Sequence, residues 1–282
     1  MESVTTAAEL RERVAAWRRD GARVGFVPTM GNLHAGHYSL VSIARANADR
    51  IVASVFVNPT QFGPREDFSS YPRTLESDRA GLEAHGCDLL FAPSVEEVYP
   101  FGIEASVRVD VPVVAATLEG ALRPGHFTGV ATVVTKLLNL VQADVAVFGQ
   151  KDYQQLLVIQ RLVRDLTLPV SILAAPTMRE PNGLAMSSRN QYLSADERQR
   201  AGVIHQTLVR MSEAVRAGKP PAEIERDAMR ALAGEGLEAD YAVVRRREDL
   251  AEPQPGQRHG LIALIAAKLG RARLIDNLSA DL

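Results

Sequence analysis

The stretch that decides the fold is Val24-Gly25-Phe26-Val27-Pro28-Thr29-Met30-Gly31-Asn32-Leu33-His34-Ala35-Gly36-His37. Its first six residues form a short apolar run typical of a strand, and residues 38–46 after it have the pattern of a helix. Two histidines framed by glycines therefore lie where a strand ends and a helix begins. Glycine lets a phosphate approach the backbone closely, and the N–H groups and dipole of a helix N-terminus favour anions. The stretch predicts a phosphate-binding turn with two titratable donors.

Strands and helices alternate on both sides of this turn. Apolar, partly β-branched runs predict strands at residues 24–29, 51–57, 88–91, 106–111, 144–148 and 169–174. Amphipathic spacing predicts helices at residues 6–19, 38–46, 74–85, 127–142 and 153–166. This alternation predicts an α/β domain with a doubly wound parallel sheet over residues 1–175.

The pattern changes after Pro176. A Ser194–Glu197 capping box opens a long predicted helix over residues 194–217, and Pro220-Pro221 opens another that runs to Ala233. Short strands are predicted at residues 241–244, 261–266 and 273–275. Residues 176–282 are therefore expected to form a second, smaller α+β C-terminal domain with an antiparallel sheet, which we interpret as a lid.

Composition narrows the class of protein. The chain has 282 residues and a formal net charge of −2, which gives no support for a nucleic-acid-binding surface. A single cysteine, Cys87, excludes an intrachain disulfide and fits a reducing compartment. No stretch approaches eighteen consecutive apolar residues, so no membrane span is predicted. A cytoplasmic protein that acts on small molecules is the expectation.

Polar residues also cluster where other predicted strands end, and ligands of open α/β sheets bind at that edge. In residues 58–63, the neutral amides of Asn58 and Gln61 follow the strand predicted at residues 51–57. Residues 149–155 form another glycine turn before a helix, now with Lys151, whose point charge suits phosphate. Residues 186–190 between the two domains offer two hydroxyls and a guanidinium for phosphate oxygens.

Several other kinds of site have no motif in the chain. A P-loop, a Gly-x-Gly-x-x-Gly dinucleotide fingerprint, a Cys/His set with zinc-ligand spacing and a Gly-x-Ser-x-Gly nucleophile elbow are all missing. The histidine turn and the three polar clusters favour attack on a nucleotide phosphate over covalent catalysis by a side chain. Such chemistry depends on positioning and charge stabilisation.

Taken together, these motifs resemble the pantothenate synthetase (pantoate–β-alanine ligase) family of the His-x-Gly-His nucleotidyltransferase superfamily. The resemblance runs in order from about residue 24 to residue 277 and rests on residues 28–37, 56–62, 71–74, 123–130, 149–155, 187–190 and 272–277. It implies a cytoplasmic homodimer with a Rossmann-like N-terminal domain. It also implies condensation of pantoate with β-alanine, using ATP and Mg²⁺ and releasing AMP and diphosphate.

The resemblance assigns roles to residues of this chain. It implies that ATP is bound by Met30, Gly31, Asn32, Leu33, His34, Ala35, Gly36, His37, Gly149, Gln150, Lys151, Asp152, Met178, Met186, Ser187, Ser188 and Arg189. His37 is the implied proton donor, and His34 and Lys151 are further catalytic candidates. Gln61 and Gln155 match the pantoate-binding glutamines, and Gln61 also lies towards the β-alanine site. Asp78 and Asp152 are candidate Mg²⁺ ligands.

One position departs from the family pattern. The family usually has Gly-Glu-Lys-Asp where this chain has Gly149-Gln150-Lys151-Asp152, so a carboxylate is replaced by a neutral amide. Because Lys151 and Asp152 are intact, we expect the Gln150 side chain to face outward and activity to be kept.

Two other functions are weighed against this one. A different nucleotidyltransferase, joining a nucleotide to a phosphorylated small-molecule acceptor, would share the histidine turn but should carry more cationic residues for the acceptor phosphate. The uncharged Gln61 and Gln155 favour a hydroxy acid instead. A non-catalytic nucleotide-binding module is disfavoured by the complete set of histidines, Lys151 and Arg189.

Overall fold

The structure is a computed structural model that describes residues 1–63, 68–69 and 71–280. The chain divides into two compact units. The first comprises Met1–Gln150 and Gln154–Pro176, and the second comprises Lys151–Tyr153 and Thr177–Leu282. A three-residue segment at the start of one helix thus groups with the C-terminal part of the chain.

A parallel sheet forms the centre of the first unit. Its strands among the described residues are β1 (Glu2–Val4), β2 (Val24–Thr29), β3 (Arg50–Val55), β4 (Leu89–Phe91), β5 (Val145–Gly149) and β6 (Ser171–Ala175). They lie in the order β1-β4-β3-β2-β5-β6, and every pair is parallel. The order reverses direction between β2 and β5, so the predicted doubly wound sheet is confirmed.

Helices cover this sheet because its central strands are apolar on both faces. They are α1 (Ala7–Arg19), α2 (Ala35–Arg45), α3 (Leu75–Ala84), α4 (Val95–Val98), α5 (Glu119–Leu122), α6 (His126–Val141) and α7 (Tyr153–Asp165). Phe26 and Val27 of β2 and Ile51 and Val52 of β3 are fully buried, as expected of strands between two helical layers. A capping box of Thr6 and Glu9 starts α1.

The strand predicted at residues 106–111 was wrong. The described chain has no strand there, and Val107 is 78% exposed. Alternation of valine with polar residues indicates a strand only where a neighbouring strand can accept its backbone hydrogen bonds. Here the backbone N–H of Val109 donates to Oγ1 of Thr132 at 2.9 Å instead.

The second unit is a smaller α+β body, as predicted. Antiparallel strands β7 (Glu238–Arg246), β8 (Leu261–Leu269) and β9 (Ala272–Ser279) lie in the order β7-β8-β9. The helices are α8 (Ala195–Arg200), α9 (Val203–Arg216) and α10 (Pro221–Gly234). Residues from α9, α10 and the inner face of the sheet share one apolar core, which includes Leu208, Leu232 and Ile265.

The long helix predicted over residues 194–217 is interrupted. Ser194 and Glu197 form the expected capping box, but α8 ends at Arg200 and α9 begins at Val203. The side-chain amide of Asn182 donates to the Arg198 carbonyl at 2.8 Å, which a continuous helix would offer to the N–H of Gly202. That N–H bonds to the Gln199 carbonyl instead, and the helix breaks.

Candidate functional site

The histidine turn lies at the point where the strand order of the first unit reverses. It follows β2, and β2 is paired with β3 on one side and with β5 on the other. The loops after those two strands carry the other predicted segments of this unit, Asn58–Gln61 and Gly149–Gln150. The carboxyl ends of adjacent parallel strands form the usual ligand crevice of such sheets.

Both histidines are fixed by backbone hydrogen bonds at the start of α2. His34 is the N-cap residue, and its Nδ1 accepts the N–H of Gly36 at 3.1 Å. Nδ1 of His37 accepts the N–H of His34 at 3.3 Å, which completes a capping box built from imidazoles in place of hydroxyl and carboxylate. The ring centroids lie 4.1 Å apart.

These bonds define which ring nitrogen carries the proton. A nitrogen that accepts a backbone N–H has no proton of its own, so in the neutral form each ring carries its proton on Nε2. Each imidazole is therefore an Nε2–H donor whose orientation is set by the turn. Two oriented donors at a helix N-terminus suit the oxygens of a phosphate.

Asp78 fixes the backbone of the turn just before His34 by hydrogen bonds. Its carboxylate is 2% exposed and accepts the backbone N–H groups of Asn32 at 2.9 Å and of Leu33 at 2.8 Å. Oγ1 of Thr74 donates to the same carboxylate at 3.1 Å. Gly31 has φ +83° and Asn32 φ 52°, and a Cβ at Gly31 would lie 3.0 Å from Oδ2 of Asp78. Glycine is required here by both conformation and space.

Replacing Asp78 by asparagine should destabilise the turn and weaken ATP binding together. The new NH₂ group would face a backbone N–H that loses its acceptor, which costs about 1–3 kcal/mol of unfolding free energy. Urea unfolding and ATP titration of the variant measure both effects. Glu76→Gln, an exposed change on the same helix, is the control. An Asp78→Asn variant with wild-type stability and wild-type ATP affinity would contradict this account of Asp78.

The side-chain amides of Asn58 and Gln61, which follow β3, are hydrogen-bonded to each other. Asn58 is 1% exposed, and its Nδ2 donates to Oε1 of Gln61 at 3.0 Å and to the Gly129 carbonyl at 3.2 Å. Its Oδ1 accepts the hydroxyl of Tyr99 at 2.8 Å. Because a carbonyl only accepts, the Asn58 amide has one orientation, and Gln61 must present its Nε2 donors on the other side. The sequence assigned a ligand-binding role to Gln61 and none to Asn58, and in the structure Asn58 orients Gln61.

Arg123 and His126, which sequence reasoning left without a role, hold the backbone of Gln61. Nδ1 of His126 and Nη2 of Arg123 donate to the Gln61 carbonyl at 2.8 and 3.3 Å. Nη1 of Arg123 lies 3.1 Å from Nε2 of His126, which leaves the His126 proton on Nδ1. All three residues line an open cavity of about 890 Å³, within the size range of small-molecule sites.

Gly129→Ala should displace Gln61 through its backbone, without replacing any side chain that is predicted to bind substrate. A Cβ at Gly129 would lie 2.3 Å from the Thr60 carbonyl oxygen, so the turn between Asn58 and Gln61 must move. We expect about 1–3 kcal/mol of destabilisation and a KM for pantoate raised about tenfold or more. Gly234→Ala is the control, because nothing lies within 4 Å of its added Cβ. Wild-type steady-state kinetics for Gly129→Ala would contradict this prediction.

After β5, the neighbouring glutamines of the first unit have different environments. Gln154 is buried, and its amide bonds to the backbone of Val114, Thr117 and Glu119. The half-buried Gln155 side chain has no such bonds among the described residues. The Gln154 amide is thus committed to the backbone, and the ligand-binding role of Gln155 stays a prediction. Gln150 is half-buried in a 3₁₀ turn, and its outward orientation stays a prediction.

In the second unit, candidate ATP-binding residues from two distant segments of the chain lie together. Lys151 and Ser187 line the same small cleft, together with Asn190 and Asp276. Nζ of Lys151 lies 3.9 Å from Oδ1 of Asp152. A lysine and a hydroxyl in one cleft are groups that bind phosphate oxygens.

The remaining nucleotide candidates surround Ser187 in the chain. Ser187 caps a 3₁₀ turn that contains Ser188 and Arg189, and its Oγ accepts the N–H of Arg189. The N–H of Met186 donates to the Met178 carbonyl at 2.9 Å, so these two methionines are neighbours. Met178 is among the exposed apolar residues. Their contact with ATP stays a prediction.

The acidic side chains bear on the predicted Mg²⁺ ion, whose binding stays a prediction. In residues 1–63, 68–69 and 71–280, no group of three or more His, Cys, Asp or Glu side chains is placed to bind a metal. Both carboxylate oxygens of Asp78 already accept backbone N–H groups, while Asp152 is half exposed. This donor set fits an ion bound mainly by nucleotide phosphates and water, which is common for Mg²⁺. The assignment of Asp78 as a ligand stays a prediction.

Other features of the described chain do not suggest a different site. Burial raises the pKa of the Cys87 thiol to about 12, so the thiolate needed for nucleophilic chemistry is disfavoured. In the basic run Arg245-Arg246-Arg247, Arg245 pairs with Glu225 and Arg246 with Asp249. Within the described residues, none of the helices has the length and apolar character needed to cross a bilayer.

Comparison with known proteins agrees with this geometry. The family model described as pantoate-beta-alanine ligase matches residues 2–279. A pantothenate synthetase of Xylella fastidiosa is 58% identical over 284 residues, with 99% of each chain covered. One of Chromohalobacter salexigens is 54% identical over 282 residues, covering 100% of this chain and 99% of the relative.

Solved structures give the same result. Pantothenate synthetase from Thermus thermophilus superposes with a TM-score of 0.92 at 50% identity, covering 99% of both chains. Pantoate-beta-alanine ligase from Francisella tularensis, complexed with beta-gamma ATP and beta-alanine, has a TM-score of 0.82 at 32% identity. That match covers 100% of this chain and 98% of the other.

Proposed function

The chain belongs to the pantoate–β-alanine ligase family, whose members are ATP-dependent ligases, and on that premise we propose that it makes pantothenate through a pantoyl-adenylate intermediate. The observation that carries the proposal is the histidine turn. It presents two Nε2–H donors at the N-terminus of α2, where the strand order of the parallel sheet reverses. These are groups for a nucleotide phosphate.

In the first step, a carboxylate oxygen of pantoate attacks the α-phosphorus of ATP. A new P–O bond forms, the bond from the α-phosphorus to the bridging oxygen breaks, and diphosphate leaves with that electron pair. Nε2–H of His34 and Nε2–H of His37, the implied proton donor, would donate hydrogen bonds to phosphate oxygens as negative charge develops there, while each ring keeps its proton. Lys151, Ser187, Ser188 and Arg189 would bind the remaining phosphate oxygens.

Neutral amides would bind the acceptor acid in this step. Asn58 orients the Gln61 amide so that its Nε2 donors are available, and Gln155 is half-buried at the start of α7. Amide donors can bond the carboxylate and hydroxyls of pantoate without neutralising the nucleophile. This supports a hydroxy acid over a phosphorylated acceptor.

In the second step, the neutral amine of β-alanine attacks the acyl carbon of the adenylate. The C–N bond forms, the bond between the acyl carbon and the AMP oxygen breaks, AMP leaves with that electron pair, and the nitrogen releases one proton to solvent. Gln61 lies beside Arg123 and His126 in the open cavity of the first unit, where the Arg123 guanidinium would offer a positive charge to the β-alanine carboxylate. Exclusion of water protects the adenylate between the two steps.

Mg²⁺, held by phosphate oxygens and water, would neutralise the phosphate charge. Asp152, whose Oδ1 lies 3.9 Å from Nζ of Lys151, would hold the ion's water shell. We retain Asp78 as a candidate ligand, although its oxygens already accept hydrogen bonds from the turn.

Product analysis tests the proposed reaction. Incubation with ATP, pantoate and β-alanine should give pantothenate and AMP in equal amounts, with neither formed when pantoate is omitted. Transfer to a phosphorylated acceptor would give a dinucleotide-type product and no free AMP. Absence of AMP in the complete mixture would contradict the proposed function.

We also propose that the protein works in the cytoplasm as a homodimer. Exposed apolar side chains concentrate in one stretch of the first unit, namely Phe101, Val107, Val113 and Leu122, which supports burial of this stretch against a second copy. Sedimentation equilibrium should then give about twice the 30.6 kDa chain mass. A monomer at micromolar concentration would contradict the dimer.

A further inference from the structure

The motif at residues 272–277 has no part in the function proposed so far, although two of its polar side chains are buried. Asp276 and Asn277 on β9 are 4% and 8% exposed. Buried polar side chains are nearly always hydrogen-bonded, so the partners of these two residues show which groups they hold. Asp276 pairs with Ile265 and Asn277 with Leu264 in the register of β8 and β9.

Asn277 bonds directly to the backbone of the lysine that is predicted to bind phosphate. Its Nδ2 donates to the Lys151 carbonyl at 2.8 Å, across 126 residues of sequence. Lys151 and Asp276 also line one cleft with Ser187. Tyr153, two residues on, donates its hydroxyl to the Arg247 carbonyl at 2.9 Å. These two bonds explain why Lys151–Tyr153 groups with the second unit while Gln150 and Gln154 do not.

Asn277 is itself fixed by a buried ion pair. Nη1 and Nη2 of Arg179 donate to the two carboxylate oxygens of Asp276 at 2.5 and 3.1 Å. Oδ1 of Asp276 also accepts the backbone N–H of Asn277 at 2.8 Å. Nη2 of Arg179 lies 3.5 Å from the Asn277 carbonyl. A bidentate pair of this kind restricts both partners, so the backbone from which the Asn277 amide extends has little freedom.

We infer that Asn277 is a positioning residue that sets the place of Lys151 in the second unit, with Asp276 and Arg179 as its support. It acts through the Lys151 backbone and needs no contact with substrate. The inference rests on the proposed function, because it assigns to Lys151 a phosphate of ATP. It predicts that loss of the Asn277 amide lowers ATP affinity through a change in the position of Lys151.

A double-mutant cycle tests this, with ATP and Mg²⁺ as the probe and pantoate left out so that no reaction occurs. We expect Asn277→Leu and Lys151→Ala each to weaken ATP binding about tenfold, and we expect the double variant to be no weaker than Lys151→Ala alone. In steady state, Asn277→Leu should lower kcat and raise the KM for ATP with little change in the KM for pantoate. Asn277→Asp keeps the size but places an oxygen against the Lys151 carbonyl, so it should be at least as impaired.

Leu278→Ala, at the next position of β9, is the matched control, because Leu278 packs against the core of the second unit. It should lower the Tm and leave ATP affinity unchanged. Independent, multiplying effects of Asn277→Leu and Lys151→Ala would overturn the inference, as would wild-type ATP affinity in Asn277→Leu or Asn277→Asp. A wild-type protein that forms no AMP would defeat the proposed function instead, so the two failures are distinct.

Discussion

Replacing Lys151 by alanine is expected to lower kcat for AMP formation by about 10²–10³-fold, the range seen when one preorganised group that stabilises transition-state charge is removed. The Lys151 side chain is only 18% exposed and lines the cleft that contains Ser187. A partly desolvated ammonium interacts with phosphate charge more strongly than one in water. The measurement is steady-state AMP release at saturating ATP, pantoate and β-alanine.

Lys219→Ala is the matched control for this change. Lys219 belongs to the same unit, but its side chain is 51% exposed and pairs with Glu223 at 3.4 Å. An exposed pair of this kind contributes little to stability or activity, so kcat should change less than about twofold. A Lys151→Ala enzyme that retains most of its kcat would contradict the phosphate-binding role of Lys151. It would favour the alternative that the protein is a non-catalytic nucleotide-binding module.

The second large effect is expected at His37. In His37→Asn, the side-chain oxygen can take the place of Nδ1 and still accept the His34 N–H, but the Nε2–H donor is lost. We therefore expect kcat to fall about 10²–10³-fold with little change in the Tm. In His37→Gln, the amide NH₂ reaches nearer to the Nε2 position, and part of the activity should return. Rapid-quench measurement of the first turnover reports the chemical step.

His85→Asn is the control for the histidine variants. His85 stacks on Tyr38 with ring centroids 4.3 Å apart and lies at the C-terminal end of α3. Its replacement should leave kcat unchanged. If His37→Asn loses stability in proportion to activity, or if His37→Gln is as inactive as His37→Asn, the proposed hydrogen bond from Nε2–H of His37 to phosphate is contradicted.

The general fold could be predicted because its signals are local. Apolar runs and helical periodicity identified β2, β3, β5 and the long helices, and alternation of strand and helix predicted the parallel sheet. Two local predictions were wrong for non-local reasons. Residues 106–111 have a strand pattern but no neighbouring strand among the described residues, and the Asn182 amide interrupts the helix between Arg200 and Val203. Neither the lack of a neighbouring strand nor the contact with Asn182 can be predicted from the sequence of the segment alone.

In the candidate site, too, local motifs could be predicted from the sequence and long-range contacts could not. The histidine turn and the Ser187 loop stand out as short motifs, so their residues could be named in advance. Their supports are contacts across long stretches of sequence. Asp78 binds the turn at Asn32, His126 holds Gln61, and Asn277 holds Lys151. A carboxylate, an imidazole and an amide are each too common to signal such a role, and only the fold brings them to their partners.

Isotope exchange without β-alanine tests the central claim, adenylation of pantoate, most directly. In the presence of ATP, Mg²⁺ and pantoate, the protein should incorporate labelled diphosphate into ATP, and exchange should stop when pantoate is omitted. The reversible first step alone produces this result, because diphosphate can attack the adenylate and regenerate ATP. A protein that makes pantothenate but shows no pantoate-dependent exchange would contradict the release of diphosphate before β-alanine reacts.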